Sequence, residues 1–376
     1  MASYRDLASL GLPQPDLATR DLLRAVLEIA PPSEAALALA GRALAGQANR
    51  GIERLLPFAA RSAWLAAADP PGSRRIAAVR RRAAMDMLAY QHFVQRVIGQ
   101  ISARGIAPLV TKGYALARLY YDDPAHRPAG DLDIAIRPGD WSAVLALLEA
   151  EGFRAIQPQI ASAHSPAFHA HGMSRDSDPY EIDLHRSIVA ATPWPGADDG
   201  FWARARPFAV GKASALTLSD ADHLLHACLH GCMPNDVLPI RWIVDAGRIV
   251  AHGTPDWTVL IGEARRRRAA WPVAACLGYL RDEIGIAVPE DAIRQLADEP
   301  MEAADEAYFR IRATGLTSTA LRDRLRFLWL LYRRSVTGRH GAVGFLRWLR
   351  TRWGIAGDRS MIAEAVRRLP RAHWRR

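Results

Sequence analysis

Apolar positions recur every three or four residues through the first hundred residues, and this spacing predicts helices over 33–45, 51–68 and 73–104. Ser33 stands where an N-cap belongs, and Met85, Met87, Leu88, Phe93 and Ile98 carry the apolar positions of the last segment. After Gly105 the period shortens. Pro108-Leu-Val-Thr-Lys112 is a short apolar run bounded by Pro and Gly, which predicts a strand. A helix follows over 113–121, then a polar loop over 122–130 that contains prolines. Residues 131–137 alternate as a strand, 138–151 read as an amphipathic helix closed by Gly152, and 153–156 as a further strand. A loop rich in His, Ser and Pro is expected over about 158–178, and Tyr180-Glu-Ile-Asp-Leu-His185 alternates again. From Ser219 helical spacing returns, over 219–233, 239–251, 256–269, 271–285 and 318–335. The expected fold class is α+β: a small mixed-sheet α/β unit over 105–215. It is framed by an N-terminal helical segment (1–104), a helical domain (216–320) and a basic helical tail (321–376).

The two acidic strands carry the candidate chemistry. Residues i and i+2 of a strand point to one face, so Asp131 and Asp133 share a direction while Leu132, Ile134 and Ile136 face the opposite way. In the second strand Glu181, Asp183 and His185 share a face, with Ile182 and Leu184 behind them. If the two strands are neighbours, three carboxylates converge beside an imidazole. Such a cluster repels itself unless a cation lies within it, and hard oxygen donors suit Mg²⁺ or Mn²⁺, which also bind phosphate oxygens. Two such ions about 4 Å apart would activate an attacking hydroxyl and stabilise a departing pyrophosphate.

Charge changes the picture at one end of the chain. The 376 residues carry 49 cations against 39 acids, a net charge of +10. Residues 321–376 hold 15 arginines and three acids, so this tail alone accounts for +12 and the remainder sums to −2. Arginine interleaved with Trp329, Tyr332, Trp348, Trp353 and Trp374 suits a polyanion, whether RNA or an anionic membrane surface, and equally suits core tryptophans with arginine on the wet side. Of the 49 cations only Lys112 and Lys212 are lysines. Lys112 therefore runs against the chain's preference, at a place where a compact ammonium could meet a single phosphate oxygen.

Val110-Thr-Lys-Gly113, Arg127-Pro-Ala-Gly-Asp-Leu-Asp133 and Glu181-Ile-Asp-Leu-His185, in this order, resemble the nucleotidyltransferase superfamily of the polymerase-beta type. The resemblance is nearest to its bacterial branch of uncharacterised nucleotidyltransferases. Leu225-His-Ala-Cys-Leu-His-Gly231, Arg241-Trp-Ile-Val-Asp245 and Asp256-Trp257 extend it over roughly residues 80–270. It implies Asp131, Asp133 and Asp183 as catalytic metal ligands for Mg²⁺ (or Mn²⁺), with Asp183 orienting the acceptor hydroxyl. It implies Lys112 and Gly113 at the triphosphate, and Arg127 on a phosphate or bracing the acidic strand. Glu181 and His185 would support the ligands. Gly-Tyr stands where the wider superfamily has Gly-Ser, a departure that still leaves backbone N–H groups at a helix start. The implied reaction moves a nucleoside monophosphate from an NTP such as ATP to an acceptor that the sequence does not identify. Small molecule, peptide, protein and RNA all stay open.

Two other readings share the resemblance: a non-catalytic nucleotide- or RNA-binding protein, and a tRNA-modifying toxin of the same fold. The chain has no Gly-x-x-x-x-Gly-Lys-Ser/Thr loop, no Gly-x-Ser-x-Gly elbow and no Gly-x-Gly-x-x-Gly after a strand. His223, His226 and His230 lie at helical spacing near Cys228 and Cys232, yet without a second ligand pair they read as packing residues rather than a zinc site. Three cysteines, the lack of a signal-peptide pattern and the lack of any apolar run near 18 residues predict a cytoplasmic protein without a membrane span.

Overall fold

The computed structural model describes residues 7–12, 14–68, 74–156, 169–192, 194–232, 240–314, 320–336, 340–353 and 355. The chain forms two compact units. The first comprises residues 1–93, 111–129 and 218–300, and the second 94–110, 130–217 and 301–376. Helices occupy both ends of the element order around a seven-stranded sheet, an α+β architecture.

The first unit is helical, and short polar side chains begin many of its helices. Asp16 accepts from the Thr19 amide at 2.8 Å to start Leu17–Val26, and Ser33 accepts from the Ala36 amide at 3.2 Å to start Glu34–Leu44. The helix expected over 51–68 is instead three short pieces, Arg50–Glu53, Leu56–Ala59 and Ala63–Ala68. Pro57 accounts for the first break, since it has no amide hydrogen with which to continue a helical ladder back to Glu53. Helices Lys112–Tyr120, Asp220–Gly231, Arg241–His252, Trp257–Arg266 and Ala270–Tyr279 complete the core of this unit. Gly231 lies against the Trp242 ring, where a Cβ would collide with the indole, so the first and second of the helices after residue 218 pack closely.

The second unit holds the sheet. Its strands are β1 (Leu109–Val110), β2 (Asp131–Ala135), β3 (Arg154–Ala155), β4 (Ala170–Ser174), β5 (Glu181–His185), β6 (Arg206–Val210) and β7 (Ala213–Thr217). Their spatial order is β3-β4-β5-β2-β1-β7-β6. β2 runs parallel to β5 and β1 parallel to β7, while the other neighbours are antiparallel. β4 falls inside the stretch expected to be a loop, whose residues 157–168 lie outside the described residues. The hairpin β6–β7 also went unforeseen, although Phe208, Val210, Ala215 and Thr217 are buried at alternate positions. Gly211, at φ +61°, turns the chain between these strands. Among the described residues no helix is long and apolar enough to cross a membrane.

Candidate metal centre

Parallel pairing of β2 with β5 sets the site. The register places Asp131 beside Glu181, Asp133 beside Asp183 and Ala135 beside His185. In-register neighbours of a parallel ladder point to the same face, so the acids and His185 share one side. Leu132, Ile134, Ile182 and Leu184 point to the other and are completely buried. Their burial fixes which face each strand presents, because a slip of one residue would turn the carboxylates into the apolar packing and the aliphatics toward the site.

The atoms that converge belong to Asp133, Asp183 and His185. One ligand atom from each lies within 4.8 Å of the others, and this is the group among the described residues that could hold a metal ion. His185 Nε2 is 2.9 Å from Asp133 Oδ1, and the two side chains are only 4% and 2% exposed. The direction of this hydrogen bond depends on the imidazole tautomer. His185 Nδ1 is buried with no hydrogen-bond partner. Two carboxylate oxygens and one imidazole nitrogen are a donor set that fits a divalent cation. A cation there would offset the mutual repulsion of the two acids. Asp131, half-buried, stands two residues back along β2 and outside this converging group, opposite the exposed Glu181. The sequence expectation thus places Asp133 and Asp183 together as read, while His185 takes the third converging position.

Gly172 on β4 was not singled out from the sequence. It pairs with Asp183 in the antiparallel ladder. A Cβ at this position would lie 3.4 Å from Asp183 Oδ1 and 3.3 Å from Ile156 Cδ1. Glycine keeps the flank of the Asp183 carboxylate clear. The signal available in the sequence was a glycine inside an alternating segment, which marks a close approach.

The remaining expected residues lie in the helical unit. Lys112 opens helix Lys112–Tyr120, behind Thr111 as N-cap, and adopts φ +45°. That left-handed conformation is unusual for a side chain with a Cβ. Gly113 follows it and is buried. Arg127 is 4% exposed, and its guanidinium grips Asp245 with two hydrogen bonds, Nε to Oδ1 and Nη2 to Oδ2, each 2.8 Å. Tyr121 Oη donates to Asp245 Oδ1 at 2.7 Å. So Arg127 braces helix Arg241–His252, where the sequence reading had it on a phosphate or the acidic strand; its Nη1 is buried without a partner. Burial disfavours charge on Asp245, but the Arg127 charge and its hydrogen bonds outweigh that and hold the carboxyl below its ordinary range. Burial and the neighbouring Asp245 charge push the Tyr121 phenol well up.

The histidine and cysteine cluster is a packing feature. His223 and His226 are buried on helix Asp220–Gly231, and His223 meets the Tyr120 ring edge-on at 5.6 Å. The Cys232 and Cys276 sulfurs are 3.2 Å apart, and Cys276 Sγ donates to the Cys228 carbonyl at 3.4 Å. Burial pushes the Cys276 thiol well up, which suits an inert core thiol.

The sheet thus presents paired acids from adjacent parallel strands on one face, in a group that could hold a metal ion. The sequence model of a family described as "Uncharacterised nucleotidyltransferase" matches residues 50–283, and the chain belongs to that family. The matched span contains every residue of the site. A search among curated proteins finds no match to the chain.

Proposed function

We propose that the chain transfers a nucleoside monophosphate from an NTP to an acceptor hydroxyl or phosphate with the help of a divalent cation. The observation that carries this reading is the in-register pairing of Asp133 with Asp183, with His185 Nε2 at 2.9 Å from Asp133. Family membership supports nucleotidyl transfer as the general chemistry.

In this reading Asp133 and Asp183 hold the cation, with Asp131 and Glu181 further along the same face. The cation would supply charge neutralisation for phosphate oxygens and a lowered pKa for the attacking group. Mg²⁺ and Mn²⁺ both suit the carboxylates, and the imidazole nitrogen tilts the donor set toward Mn²⁺. His185 orients the Asp133 carboxylate. Asp183 faces the acceptor and receives or orients its proton. Lys112 and Gly113 serve the phosphates, a role supported by their place at a helix start and by the strained φ of Lys112. Arg127 contributes through its hold on Asp245. Phosphoryl-type transfer asks mainly for positioning and charge stabilisation, so few side chains suffice.

Pyrophosphate release from ATP, CTP, GTP and UTP, each with Mg²⁺ or Mn²⁺, tests the reading. Release that disappears in Asp133→Asn/Asp183→Asn supports it. Tight metal-dependent nucleotide binding without release would make the chain a nucleotide sensor instead.

A further inference from the structure

Helix Ala342–Trp353 is apolar on two sides. Its inner side meets helix Leu321–Ser335 of the same unit: Leu349, Trp353 and Ile355 pack with Leu328, and Phe345 and Trp348 lie against them. Gly344 is where this contact is tightest, since a Cβ there would collide with Tyr332 Oη. The aromatic residues are engaged with one another. Trp329 meets Phe345 edge-on at 5.3 Å, and Phe345 stacks on Trp348 at 6.2 Å.

The outer side has no such explanation. Val343 is 72% exposed and Leu346 51% exposed. With Arg347 and Arg350, also exposed, they occupy one narrow arc of the helix at spacings of three, four and seven. The start of the neighbouring helix repeats the composition, with Leu321 (56% exposed) and Leu325 (37%) beside the exposed Arg322 and Arg326. Not every arginine here is turned outward. Arg334 is buried on Asp305 at 2.5 Å, Arg333 pairs with Glu302 at 3.2 Å, and Arg352 lies over the Trp348 ring at 5.4 Å. The outward set is therefore aliphatic and cationic together. The only acid on these two helices is Asp323.

We propose that this outer face docks on an anionic lipid surface, with Val343 and Leu346 entering the headgroup–acyl boundary and Arg347 and Arg350 meeting lipid phosphates. Charge complementarity selects this occupant, because the face joins exposed aliphatics to arginines as an interfacial helix does. Single-stranded RNA would call for outward aromatic rings on which bases stack. Trp329, Tyr332, Phe345 and Trp348 are spent on one another instead.

Co-sedimentation of the full chain with phosphatidylcholine vesicles, with and without about a third phosphatidylglycerol, tests the proposal. Binding is expected only with the anionic lipid, and it should weaken from about 0.1 M to about 0.5 M salt as screening grows. Arg347→Glu/Arg350→Glu should lower partitioning by about fivefold per arginine or more. Val343→Ser/Leu346→Ser should lower it by about tenfold or more, through lost apolar burial. Thermal melting checks that each variant folds, and Leu346→Gln alone carries the same expectation on a smaller scale. Equal binding to neutral vesicles, no binding to either, or unchanged binding by the folded variants would overturn the proposal. So would tRNA displacing the protein from vesicles through this face, or a dimer that dissociates on Leu346→Ser.

Discussion

His185 Nε2 lies 2.9 Å from Asp133 Oδ1, and both side chains are buried. One imidazole thus sets the direction of the most buried acid in the site. His185→Leu removes that partner. It should cost about 1–3 kcal/mol of stability and lower metal affinity about 10- to 100-fold. Calorimetric titration of Mn²⁺ into the two proteins, with melting curves for each, checks this. Unchanged Mn²⁺ affinity in a folded variant would remove His185 from the site.

Asp133→Asn and Asp183→Asn should each lower nucleotidyl transfer by more than about a hundredfold while leaving the far-ultraviolet spectrum intact. The two acids are neighbours in one ladder, so their effects should not add. A double variant no slower than either single one is expected. Full activity in the double variant would refute the metal reading.

Gly172→Ala should be tolerated, because the new Cβ meets Asp183 Oδ1 at 3.4 Å, ordinary contact, and Ile156 Cδ1 at 3.3 Å, which needs only a slight shift. Gly172→Val should not be tolerated at the site. Its branched side chain would press on Asp183 and weaken metal binding more than it lowers the melting temperature. Equal metal affinity across the three proteins would show that the clearance beside Asp183 has no functional weight.

Lys112→Gly separates backbone from charge. Glycine adopts φ +45° freely, so the substitution should be neutral or stabilise by up to about 1 kcal/mol. Transfer activity should fall nonetheless, with the apparent KM for NTP raised. A variant that is both more stable and fully active would leave Lys112 without a role on the nucleotide.

Asp245→Asn leaves the buried Arg127 guanidinium without its counter-charge, at a cost of about 3–5 kcal/mol near neutral pH. Because the Asp245 carboxyl is held below its ordinary range in the folded protein, the pair's contribution is complete above that range. It is lost as pH falls through the folded-state value. Urea denaturation across acid pH should show this limb in the wild-type protein and a flatter one in Asp245→Asn. Parallel curves would assign the acid sensitivity to other carboxylates.

What the sequence by itself determined was local. Alternation identified β2 and β5 and the face each would present, because burial of Leu132, Ile134, Ile182 and Leu184 leaves the acids one direction to point. Helical spacing and N-caps such as Ser33 located many of the helices. The order of Lys112-Gly113, Asp131-x-Asp133 and Glu181-x-Asp183 carried the family. Pairing was decided only in three dimensions. Parallel neighbours are joined through long crossovers, so no local pattern says that β2 lies beside β5 or in which register. That register promoted His185 into the converging group and left Asp131 outside it. The antiparallel pairing of β4 with β5 put Gly172 beside Asp183, and tertiary packing gave Arg127 to Asp245, 118 positions away in sequence. A side chain's partner across such a separation depends on how whole elements pack, and periodicity along one segment carries no information about that.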